Sequence, residues 1–156
     1  MKRLWKIIKW PLYVLITIAA LSVAVFFLYC NSLRQIDPLT ITYYEQLKRE
    51  LKTQGYKDNL VVISSKRARW HNKLLTPFGA SSTSRHLKGD AIDIMVLDVN
   101  GDGTSNLTDV DIVYQLLDHS IVRNTGGLGT YKSEPWIWNR QMVHLDCRKK
   151  KTRWHR

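Results

Sequence analysis

The chain has 156 residues, enough for one domain with a real core and too few for two ordinary ones. Its formal charge of +11 is large for that length and is concentrated at the two ends, which points to an anionic partner or a solvated surface rather than to any particular fold. Two cysteines, Cys30 and Cys147, are too few for a disulfide framework, and Cys147 reads as an interior thiol packed like a small apolar residue.

From Pro11 to Cys30, PLYVLITIAALSVAVFFLYC carries no charge. That matches the roughly 20 apolar residues needed to cross a bilayer, so the segment is read as a transmembrane anchor. Lys2, Arg3, Lys6 and Lys9 precede it, and only Arg34 and Asp37 closely follow. The positive-inside bias then leaves the N-terminus cytoplasmic and exports the rest of a single-pass membrane protein. A cleaved signal peptide is the competing reading; the apolar block is longer than a typical signal core and no small-x-small site follows it. The expected organisation is a basic N-terminus over 1–10, the anchor over 11–30, a linker over 31–38 and a folded domain over 39–156.

Within the domain, Ile41, Tyr44, Leu47 and Leu51 recur at near-helical spacing, with Gly55 placed where a C-terminal cap belongs. The β-branched run at 59–65 predicts a strand buried on at least one face. Residues 66–84 show no sustained period and predict a helix-and-loop excursion along one edge of a site. AIDIMVLDV resumes strand character. LTDVDIVYQLLDHSIV returns to a helix, with Ile112, Val113, Leu116 and Leu117 on one face. GGLGTY predicts a glycine-rich turn, PWIWNRQMVHLDC two closing strands, and RKKKTRWHR a basic tail whose nearest partners in an exported chain are anionic lipid or wall polymer, with nucleic acid not expected. This order suits an α+β domain built on a small antiparallel sheet.

The stretch SRHLKGDAIDI sets His86 and Asp93 at the mouth of an apolar run, with Gly89 between them where the chain can turn sharply from loop to strand. Burying Asp93 in such a run costs several kcal/mol unless it is paired or metal-bound. A third nitrogen or oxygen ligand would complete a catalytic zinc site, with a coordination position left open. His144 in MVHLD is the best candidate.

Together, SRHLKGDAID and the later VHLD resemble the zinc D-alanyl-D-alanine carboxypeptidase family, which includes vancomycin-resistance dipeptidases and phage endolysins. Ser84, His86, Gly89, Ala91 and Asp93 fill the family pattern Ser-x-His-x-x-Gly-x-Ala-x-Asp. The resemblance covers roughly residues 38–154. It implies a Hedgehog/DD-peptidase-like fold, zinc held by His86, Asp93 and His144, and hydrolysis of peptidoglycan stem peptides; a monomer is expected, though the sequence itself does not give the oligomeric state. Many members carry an acidic general base three residues before the last histidine, where this chain has Gln141, an amide that accepts no proton. Asp146, on the same strand face as His144, is the substitute base, or else a partner that orients His144. Arg67 resembles the family's arginine for a substrate carboxylate, gripped through parallel hydrogen bonds. His71, His119 and His155 receive no role.

A separate pattern occupies DVNGDGTSNLTD. Asp98, Asn100, Asp102, Asn106 and Asp109 stand at positions 1, 3, 5, 9 and 12 of an EF-hand loop, with Gly103 at position 6 and Thr104 offering its carbonyl at position 7. The closing Asp in place of Glu resembles dockerin loops. A structural Ca²⁺ is expected here, bracing the strand that carries Asp93; the competing reading is a capped Asn-Gly-Asp-Gly turn. Two functions follow from the whole sequence: a membrane-anchored zinc peptidase cutting D-alanine-containing bonds, or a non-catalytic wall-binding module that keeps the metal but lacks a base.

Overall fold

The apolar N-terminal segment forms one continuous helix, α1 (Lys2–Arg34), in the computed structural model, which describes residues 2–78, 80–132 and 140–156. Within α1 the stretch Lys9–Arg34 is long and apolar enough to cross a membrane, a test that a signal sequence also passes. The polar residues Asn31–Arg34, expected in a linker, continue the helix instead. The chain divides into two units, 1–34 and 35–156.

In the second unit, Asp37 starts α2 (Pro38–Thr53): its carboxylate accepts from the Leu39 N–H, and Pro38 sits in the first turn, where its missing N–H costs nothing. The buried stripe of α2 is Thr40, Leu47 and Leu51, with Tyr44 half-buried, while Ile41 is exposed. The periodic face therefore begins at Thr40, one residue before the apolar residue that the pattern favoured. The Thr40 hydroxyl meets its own need by donating to the Asp90 carbonyl. Gly55, at φ +80, lies just past the last turn as expected.

Five strands form one sheet in the order β1-β2-β4-β3-β5: β1 (Leu60–Ser64), β2 (Ala91–Val96), β3 (Gly127–Thr130), β4 (Met142–Asp146) and β5 (Thr152–His155). Neighbours are antiparallel except β3 and β5, which run parallel. A short helix, α3 (Arg69–Leu74), fills the excursion after β1, and α4 (Leu107–Leu116) continues into a π-helical stretch, Leu117–Val122. Leu47 and Leu51 of α2, Val110, Val113 and Leu117, and Ile92, Ile94, Val143 and Leu145 of the central strands form one buried core.

Two expectations are corrected. GGLGTY is not a turn: residues 127–130 form β3, entirely buried, because the glycines let neighbouring side chains close over the strand. Nor is the basic C-terminus a free tail. Residues 152–155 form β5, and Arg153 ties it down by donating to the Asp118 carboxylate and to the carbonyls of Arg123 and Gly126. Of the two closing strands expected over 135–147, the second is β4, and the stretch 133–139 lies outside the described residues.

Candidate metal centre

Strand pairing places the chemistry. The β2–β4 register sets Asp93 directly opposite His144 and Ala91 opposite Asp146, so residues 51 apart in the chain become cross-strand neighbours. His86 arrives from a single 3₁₀ turn, Arg85–Leu87, just before β2. The chain can re-enter the sheet there because Gly89 adopts φ +82 and lies so close to the Gln35 carbonyl that a Cβ would stand 2.5 Å from its oxygen. No residue with a side chain meets both conditions without strain.

His86, Asp93 and His144 are all buried and face one point. His86 Nε2 lies 3.3 Å from His144 Nδ1 and 3.2 Å from Asp93 Oδ2, and His144 Nδ1 lies 2.9 Å from Asp93 Oδ1. A tetrahedral zinc with arms of about 2.0–2.1 Å has ligand-to-ligand edges of about 3.3 Å. The observed separations, which run to different oxygens of Asp93, are at or somewhat below that length, and the three residues offer ligand atoms close enough together to hold one metal ion.

The outer nitrogens fix which lone pairs face inward. His86 Nδ1–H donates to the Ser65 carbonyl at 2.8 Å, leaving Nε2 to bind. His144 Nε2–H donates to Asp146 at 3.2 Å, leaving Nδ1. Asp146 is fully buried and is itself gripped by Arg148, whose Nε donates to Oδ1 at 2.7 Å and whose backbone N–H donates to the same oxygen. A carboxylate behind a ligating imidazole is the usual way such a ring is oriented and made more basic.

Burial alone would lower the pKa of His144, but Asp146 and Asp93 outweigh it and push the imidazole up to about 9. Burial would likewise raise Asp93, yet the two imidazoles hold it well below the ordinary carboxylate range. The site is thus built for net positive charge at its centre.

Trp154 is a part of this centre that sequence reasoning passed over. Gly129 pairs with His144 on one side and with Trp154 on the other, and the Trp154 indole lies across the face that a Gly129 side chain would fill. Its ring centroid is 5.6 Å from that of His144. The only available signal was a tryptophan inside a basic stretch, which does not reveal a strand.

Of the other anticipated residues, Arg67 reaches the centre: Nη2 donates to Asp93 and Nε to Ser64 Oγ. Gln141 does not; its amide donates to the Ser105 carbonyl. His71, His119 and His155 stand outside the triad, and His155 bonds the Thr130 hydroxyl. A cavity of about 750 Å³ opens over His86 and His144.

The acidic loop lies apart, immediately after β2. Asp109 is buried and accepts from the N–H groups of Val99, Asn100 and Asn106, while Asn106 caps α4 through the Thr108 N–H. Asp98 accepts from Gly101 and pairs with Lys57, which holds its carboxyl below the usual range.

The family model for peptidase M15 matches residues 35–138. That is two thirds of the chain. It belongs to the peptidase M15 family. The match takes in His86, Asp93 and Arg67 and ends before His144, so the placing of His144 as a third candidate ligand rests on the β2–β4 register rather than on the family match. M15 peptidases are zinc enzymes, in keeping with the His-Asp-His donor set. No curated protein and no solved structure matches the chain.

Proposed function

We propose that this M15 member is a membrane-anchored zinc peptidase that hydrolyses D-alanine-containing bonds in peptidoglycan stem peptides, on the outer side of a bacterial membrane. The supporting observation is the convergence of three buried donors close enough together to hold one metal ion, with both imidazole tautomers set by their outer partners. Bound zinc supplies a Lewis acid for the scissile carbonyl and lowers the pKa of water.

The chain's own residues hold and orient. His86 is fixed by Ser65, and His144 by Asp146, which Arg148 secures in turn. We assign Asp146 this positioning role in place of that of general base: it sits against Nε2, on the far edge of the ring from Nδ1, and its oxygens are engaged by Arg148. Arg67 borders the cavity beside Asp93, and its Nη1, which has no partner among the described residues, is placed to receive a substrate carboxylate or carbonyl.

The alternative, a metal-holding wall-binding module without turnover, draws support from a cavity lined by no Asp or Glu among the described residues. Full-length protein in detergent micelles, incubated with muropeptides, separates the two. Chelator-sensitive release of D-alanine is the expected result. One equivalent of zinc bound with no release at any pH would establish the binding module.

The spacing of oxygen donors over Asp98, Asn100, Asp102, Thr104, Asn106 and Asp109 supports a structural Ca²⁺ in the loop, in competition with Lys57 at Asp98. Added Ca²⁺ is expected to raise the melting temperature of the wild type and not that of Asp98→Ala/Asp102→Ala. Equal melting curves with and without Ca²⁺ would leave the loop as a self-bonded turn and cap.

A further inference from the structure

The cavity over the metal centre is lined by Arg67, Arg69, Arg85, Lys88, Arg148 and Arg156. Among its described lining residues there is no carboxylate. Three of these cations have acids of their own behind the wall: Arg67 has Asp93, Arg85 has Asp90 and Arg148 has Asp146. Arg69 and Lys88 do not. Arg69 opens α3 and Lys88 follows the turn that carries His86, so the two are exposed on separate elements at the cavity's edge, and neither has an acidic partner among the described residues. A dication would share Asp93 with Arg67 and leave still more positive charge uncompensated.

Building on the peptidase reading, we propose that the cleft selects short peptides carrying a free carboxylate in addition to the terminal one, and that Arg69 and Lys88 are the residues that select for it. Like charges placed without counter-ions around a concave site focus its field and raise the local concentration of anions. A volume of about 750 Å³ is that of a small-ligand pocket and accommodates a few residues. The wall from Ala80 to Ser84 contributes hydroxyls, which both donate and accept and so suit peptide amides better than a run of phosphates. An internal acidic residue of the peptide thus meets the rim cations while the terminal carboxylate meets Arg67.

Two synthetic peptides test this, both ending in D-Ala-D-Ala and differing only in whether one internal acidic side chain is free or amidated. Binding to full-length protein in neutral-detergent micelles is measured by calorimetry without zinc, and kcat/KM with zinc. Amidation is expected to weaken binding about five- to tenfold at low salt, the scale of two partly exposed ion pairs, with the gap closing at high salt. Arg69→Gln/Lys88→Gln is expected to lose the discrimination, and Arg69→Lys/Lys88→Arg to retain it. Equal affinity of the wild type for both peptides at low salt would overturn the proposal, as would undiminished discrimination in the double Gln variant. Tighter binding of soluble polyphosphate than of the acidic peptide would overturn it too and assign the surface to a phosphate polymer. Discrimination in binding without any cleavage would support the selectivity while refuting the peptidase reading.

Discussion

Asp146 shows how a few ångströms separate two chemical roles. A general base must reach the attacking water, whereas an orienting carboxylate must reach the far nitrogen of a ligating imidazole, and Asp146 lies against Nε2 of His144, as the proposed orienting role requires. Asp146→Asn is therefore expected to weaken zinc affinity about 10- to 100-fold, with hydrolysis recovering at saturating zinc. Lost turnover at unchanged affinity, measured by chelator competition, would make it the base. Protonation follows the same geometry. Zinc must displace the proton that Asp146 and Asp93 stabilise on His144, so affinity should rise about tenfold per pH unit up to about pH 9 and level off above it. In the metal-free protein the sign reverses. A raised histidine pKa contributes stability that is complete below its ordinary value of 6.5 and is lost as pH climbs through about 9, so the apo melting temperature should fall over that window.

At the scale of elements, two glycines decide what the strands can present. Gly89→Ala would place a side chain at φ +82 against the Gln35 carbonyl, and is expected to cost on the order of 1–3 kcal/mol in chemical denaturation and to displace His86. Gly129→Ala drives the Trp154 indole off β3. Because Trp154 packs beside His144, that variant should lose zinc affinity as well as stability, while Trp154→Phe should keep most of both. A β5 that served only to close the sheet would show the stability loss alone. The element also explains why the C-terminal basic residues are not interchangeable: Arg148 and Arg153 are committed to Asp146 and Asp118, whereas Lys149 and Lys150 are exposed.

For the molecule as a whole, the division at Arg34 separates an apolar helix from a unit that carries the core and all three metal-binding candidates. A chain starting at Gln35 is expected to fold, remain soluble and bind one zinc, as metal analysis and far-UV circular dichroism would show. Failure to fold would mean that α1 contributes to the domain's stability.

Much of the fold is legible in the amino-acid sequence alone. The uncharged run of α1, the helical spacing of α2 and α4 and the β-branched runs of β1 and β2 are local patterns, each expressing burial at short range, and they are sufficient for an α+β domain. SRHLKGDAID is equally readable, since its turn, its glycine and two of its donors lie within ten residues. Composition misleads where glycine and lysine suggest turn and tail: β3 is buried because Trp154 covers it, and β5 is held because Asp118 and nearby carbonyls neutralise Arg153. Neither partner is close in sequence. The placing of His144 beside Asp93 and the contacts of Asp146 depend on strand register and on Arg148, and the cationic cleft on residues of the 67–88 stretch meeting Arg148 and Arg156. Patterns repeated within a few residues specify elements, while a metal site is a set of distances between elements, and only the packed chain fixes those.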